Sequence, residues 1–126
     1  MLNKFIGVGM VGSKGVELRY TPNGKATANF SLGMKRAFKN QEGSYEWDNL
    51  NVVVWGKQAE ACANYLSAKS MVTVDGRIQI RTYDGQDGQK KWVTEVVAET
   101  VRFLSPATKD EFIAGEVTED PDSLPF

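Results

Sequence analysis

The stretch Trp47-Asp48-Asn49-Leu50-Asn51-Val52-Val53-Val54-Trp55-Gly56-Lys57-Gln58-Ala59-Glu60-Ala61-Cys62-Ala63-Asn64-Tyr65-Leu66 changes its hydrophobic period halfway along. Before Gly56, Leu50, Val52 and Val54 share one parity and Trp47, Asn49, Asn51, Val53 and Trp55 share the other, the pattern of a half-buried strand. After Gly56, Ala59, Cys62, Ala63 and Leu66 fall at i, i+3, i+4 and i+7, which is one face of a helix. The expectation is a strand over Glu46–Trp55 leading at once into a helix over Lys57–Ala68.

Outward from this junction the chain reads as strand on both sides. Lys25–Phe38 alternates, with Ala26, Ala28, Phe30, Leu32 and Met34 on one face. It is preceded by the turn Thr21-Pro22-Asn23-Gly24, where proline presets φ and Asn-Gly tolerates positive φ. Asn3–Gly12 and Val16–Tyr20 read as one long first strand, bent where glycines interrupt it. Lys39–Tyr45 is a polar loop. Beyond the helix, Met71–Tyr83 places Val72, Val74, Ile78 and Ile80 on one parity, Asp84–Gln89 is a hairpin turn, and Lys90–Leu104 is the last strand. That last strand is apolar on both faces, Val93, Val97 and Val101 against Val96 and Ala98, which suggests an intersubunit surface or cover by the helix.

The order is β–β–β–α–β–β. One helix between the third and fourth strands is the connectivity of an all-β, five-stranded OB-fold barrel, and closure removes the edges that so few elements could not cover. The barrel is expected over residues 1–105. Residues 106–126 are poor in apolar side chains, too poor to offset chain entropy, and are expected to form a disordered acidic tail.

Charge divides along the same boundary. All fifteen Lys and Arg lie between Lys4 and Lys109, with ten Asp and Glu up to residue 109, so this part carries +5. The last 17 residues hold six acids and no base, a net −6. A basic body beside an acidic end suits a nucleic-acid binder.

Enzyme chemistry has few candidates. There is no histidine, and Cys62 is the single cysteine, so no disulfide framework and no zinc site of standard type is expected. Gly12-Ser13-Lys14-Gly15 lacks the spacing of a phosphate loop, and no Gly-x-Ser-x-Gly elbow occurs. No catalytic residue, cofactor or metal is assigned. No signal peptide and no stretch long enough to span a membrane is read.

The solvent parity offers more. It holds Trp47 and Trp55 on the third strand and Arg77, Arg81 and Tyr83 on the fourth. Flat rings interleaved with guanidinium groups form a stacking platform for unpaired bases, with cations for phosphates. Trp55 also suits packing under the following helix. Phe38 shares the inward parity of Phe30 and Met34, so it reaches solvent only if the strand bulges or extends as an arm; it lies in the densest basic run, Lys35-Arg36-Ala37-Phe38-Lys39. Lys35, Arg36, Lys57, Arg77, Arg81, Lys90 and Lys91 are the candidate phosphate contacts, and Phe38, Trp47, Trp55 and Tyr83 the candidate stacking residues. At the other end, Asp120, Asp122, Leu124, Pro125 and Phe126 form a compact acidic, apolar peptide suited to docking on a partner protein.

The sequence resembles the single-stranded DNA-binding proteins of bacteria and their phages. The resemblance rests on Met1-Leu2-Asn3-Lys4, on Glu17–Gly24 followed by Ala28-Asn29-Phe30, and on Val53–Glu60. Tyr65-Leu66, Val74–Ile78, Thr94–Glu99 and the terminal Leu-Pro-Phe complete it. It implies an OB fold assembled as a homotetramer in the cytoplasm of a bacterium, with the tail binding replication, recombination and repair proteins. It also implies stacking by Phe38, Trp55 and Tyr83. Another family aromatic falls at Asn49, where this sequence departs, and Trp47 on the same face is the expected substitute.

Overall fold

The computed structural model describes residues 1–104. They form β1 (Phe5–Val11), β2 (Glu17–Tyr20), β3 (Ala26–Lys39), β4 (Tyr45–Trp55), α1 (Lys57–Tyr65), β5 (Met71–Asp84) and β6 (Lys90–Phe103). The expected acidic tail over 106–126, with its partner-binding tip, lies outside the described residues.

The strands follow one another as β1-β5-β6-β4-β3-β2, and a further pairing of β1 with β3 closes the sheet into a barrel. The expected bent first strand is two strands, β1 on β5 and β2 on β3, separated at Gly12–Val16, so the barrel has five walls as in an OB fold. Inside lie Phe30, Leu32, Val52, Val54, Val72, Val74 and Val96, the residues of the inward parity. Ala59 and Cys62 of α1, with Leu66 just after it, are buried against them and plug the end of the barrel beyond Trp55. The helix ends at Tyr65, three residues before expectation. Leu66 turns to extended φ/ψ while its N–H still bonds Cys62 O, so it enters the core without prolonging the helix.

Strand β4 runs parallel to β6, Asn51 opposite Glu95 and Val53 opposite Val97. Their hairpins, β3–β4 and β5–β6, therefore extend past the barrel at the same end, away from the helix. This corrects the expectation for Ile78 and Ile80. They share a face with Val72 and Val74, but Ile78 stands at the rim of the barrel opposite Val96 and Ile80 on the arm beyond it, and both are exposed.

A second correction concerns β6. Asp75 pairs with Thr100 and Gly76 with Ala98, leaving Glu99 as an extra residue. This bulge reverses the parity, so Val101 is buried instead of sharing the outer face of Val93 and Val97. The backbone groups it frees are bound by one side chain of the helix. Gln58 Oε1 accepts the Val101 N–H at 2.6 Å, and Gln58 Nε2 donates to Glu99 O at 3.1 Å.

Candidate nucleic-acid interface

The outward parity of four strands makes one face. Cross-strand register sets Thr27 beside Trp55, Ser31 beside Asn51 and Lys35 beside Trp47 on β3 and β4. It continues across β6 to β5, with Arg77 beside Val97, Gln79 beside Glu95, Arg81 beside Val93 and Tyr83 beside Lys91. A groove of about 400 Å³ runs between Trp55, Val53, Arg77 and Arg81. It meets at Asn29 a second depression of about 500 Å³, lined by Asn49, Asn51 and Lys14.

The aromatic groups lie open. Trp47, Trp55 and Tyr83 are 46%, 45% and 44% exposed. Trp55 stands on this face and is not sealed beneath the helix. Phe38 is 85% exposed, because β3 both runs onto the arm and bulges between Lys35 and Lys39. Asn49 takes its place on the face between Trp47 and Asn51, a carboxamide among rings.

The cations divide into two groups. Among the described residues Lys35, Lys57, Arg77, Lys90 and Lys91 make no ion pair. Lys91 shares the face of Tyr83, and Lys57 opens the helix beyond Trp55; Lys90 is on the opposite parity. Arg36 is not brought to this face. It shares the parity of Asp48 and Glu46, and its guanidinium donates to Asp48 through Nε at 3.1 Å and Nη2 at 2.9 Å, and to Glu46 through Nη1 at 2.7 Å. The hydrogen bond to Asp48 raises Arg36 above its ordinary pKa and holds the Asp48 carboxyl below its own. Arg81 is paired more sparingly, by one bond from Nε to Glu95 Oε1 at 3.1 Å.

Reading the sequence alone missed three features. Tyr45 continues the Trp47 parity at the start of β4, and Lys35 Nζ lies 4.4 Å from its ring centroid with Lys39 Nζ at 5.7 Å; the i, i+2 spacing to Trp47 is the signal that would have found it. Trp92 is 68% exposed, on the reverse of the arm with Ile80. Glu95 is buried in the cationic face, and no local pattern distinguishes it from an exposed glutamate. Among the described residues no group of three metal-ligating side chains occurs, and no helix is long and apolar enough to cross a membrane.

A family model described as the single-strand binding protein family matches residues 2–104, the extent of the barrel. A protein of Bacillus cereus named single-stranded DNA-binding protein is 48% identical over 126 residues, covering all of this chain and 74% of that one. Single-stranded DNA-binding protein A of Bacillus subtilis is 52% identical over 106 residues, 84% of this chain and 61% of its own. Single-stranded DNA-binding protein 2 of Listeria innocua is 50% identical over 111 residues, 88% of this chain and 69% of its own.

Proposed function

The chain belongs to the single-strand binding protein family, and from that premise we propose that it binds single-stranded DNA along the groove face, with little regard to sequence and without catalysis. The observation that carries the reading is the exposure of Trp47, Trp55 and Tyr83 beside unpaired cations on one continuous face. Every base has a π-face, so stacking accepts any of them, at about 1–3 kcal/mol per base, a magnitude established on proteins of this kind. Phe38, exposed on the arm beyond the barrel, closes over the strand as a fourth ring. Lys35, Lys57, Arg77, Arg81 and Lys91 meet phosphates on this face, Lys90 does so only where the strand passes round the tip of the arm, and Arg36 contributes only where its two carboxylates release it.

The finer parts of the reading extend from this. Residues 1–105 are the DNA-binding domain. Residues 106–126 are the acidic segment whose tip, Asp120, Asp122, Leu124, Pro125 and Phe126, docks on replication, recombination and repair proteins in a bacterial cytoplasm. The exposed apolar side chains Ile6, Val8, Ile80 and Trp92 support assembly as a homotetramer, since single barrels seldom leave so many in water.

Tryptophan fluorescence titrated with oligo-dT tests the reading. Binding quenches the emission at low salt and weakens as salt rises, because condensed counterions are released. No quenching at low salt overturns it.

A further inference from the structure

Glu95 sets an acid in the floor of a face that otherwise presents cations. At 4% exposure it is the single buried charged residue among the described residues. A carboxylate withdrawn from water is tolerated only where partners replace its hydration. Its Oε1 accepts Nε–H from Arg81 at 3.1 Å and Nε2–H from Gln79 at 3.3 Å. Gln79 Oε1 accepts in turn from Arg77 Nη1 at 3.2 Å. The two arginines of β5 are thus tied to one buried acid, one directly and one through a carboxamide.

The manner of the tie matters. Arg81 gives Glu95 its Nε edge alone. Its Nη1 and Nη2 groups have no partner among the described residues, and about half of the side chain is exposed. Those groups are half of the planar fork that matches two phosphate oxygens. An untethered arginine loses rotamer freedom when it binds; one held by Nε has lost it beforehand.

We propose that Glu95 is a positioning residue for strand binding, an internal anchor that fixes the Nε edge of Arg81 so that its Nη edge is presented to a phosphate, and that steadies Arg77 through Gln79. This rests on the reading that the face binds single-stranded DNA. It carries an unusual sign. On charge alone, deleting an acid from a phosphate-binding face tightens binding; with Glu95 as anchor, deleting it loosens binding, and only while Arg81 is present.

A double-mutant cycle in the full chain tests this, with Glu95→Ala, Arg81→Ala and both together, reading oligo-dT affinity by fluorescence and folding by thermal melting. Glu95→Ala weakens the otherwise unaltered chain by about fivefold and leaves the Arg81→Ala chain unchanged or tighter. Glu95→Gln, which keeps an acceptor without the charge, stays within about twofold. Tightening in both backgrounds means that Glu95 only repels, and overturns the proposal. Equal weakening in both means a general structural role, and overturns it too. Should Glu95→Ala fail to fold, Arg81→Lys decides: lysine keeps the charge without the fork, so its affinity falls as far as that of Arg81→Ala, and full retention overturns the proposal. Absence of oligo-dT binding by the unaltered chain would instead defeat the DNA-binding reading itself.

Discussion

The backbone of Gly76 runs so close to that of Val97 that a Cβ on Gly76 would collide with the Val97 carbonyl oxygen and stand 2.9 Å from Ala98 Cα. This is where β5 and β6 change register around Glu99. The approach lets Val101 turn inward while Arg77, Gln79 and Arg81 keep the groove face. Gly76→Ala is therefore expected to destabilise the barrel by about 1–3 kcal/mol, as overpacking against backbone does. Thermal melting measures it, and an unchanged midpoint would show that the two strands can part without cost.

The face divides the tryptophans into two classes. Trp55→Ala and Tyr83→Ala each weaken oligo-dT binding by about 1–3 kcal/mol, roughly 5- to 150-fold. Trp92 stands on the reverse of the arm, so Trp92→Ala leaves affinity for a short oligonucleotide within about twofold, as a change away from the interface does. Titration of the three variants decides it; equal losses at Trp55 and Trp92 would contradict the division by face.

Arg36 stands off the groove face, held by Asp48 and Glu46. Asp48 lies below its ordinary carboxyl pKa, so the pairing is present above that value and is lost only as pH falls through the lowered one. At neutral pH the clamp is closed. Replacing both Asp48→Asn and Glu46→Gln releases the guanidinium, and the slope of log affinity against log salt steepens by about 0.7 for the phosphate gained. A slope unchanged from that of the parent chain would mean that freed Arg36 still does not reach the DNA.

Burial pushes the Cys62 thiol up to about 11. Thiolate is the reactive form, so at pH 8 only about one molecule in a thousand presents it. The folded protein is expected to resist a disulfide reagent at pH 8 and to react at once in denaturant. Its native rate should keep rising toward pH 11 instead of levelling near the ordinary value of 9.0. Stoichiometric modification of the folded chain within minutes at pH 8 would show that the core opens readily.

The −6 terminal segment is expected to compete with DNA for the +5 remainder of the chain. Truncation after Lys109 tightens oligo-dT binding at low salt. The gain disappears near 1 M salt, where the Debye length falls to about 3 Å. Equal affinities of the long and short chains at low salt would remove this competition.

Much of the barrel was legible before any coordinate. The alternation of Leu50, Val52 and Val54 against Trp47, Asn51 and Trp55 gave both the interior and the groove face of β4, because successive side chains of a strand must point to opposite sides. The change of period at Gly56 located the helix, the Asn-Gly and Asp-Gly turns located the β2–β3 and β5–β6 hairpins, and the polar run Lys39–Tyr45 the loop between β3 and β4. Resemblance then pointed to Phe38, Trp55 and Tyr83, residues that the structure leaves exposed.

Tertiary pairing decided the rest. Counting parity along one strand cannot see a bulge, because the extra residue is extra only relative to its neighbour. Glu99 turned Val101 inward in this way, and the irregularity between Lys35 and Lys39 released Phe38 from the parity that would have buried it. Nor does a charge count assign partners. Arg36 and Arg81 look equivalent in sequence, yet one is clamped by two carboxylates on the reverse face and the other is tethered by one edge to a buried acid. Periodicity is local and survives in the chain itself; register and pairing exist only between strands, and they determine which charges reach the groove.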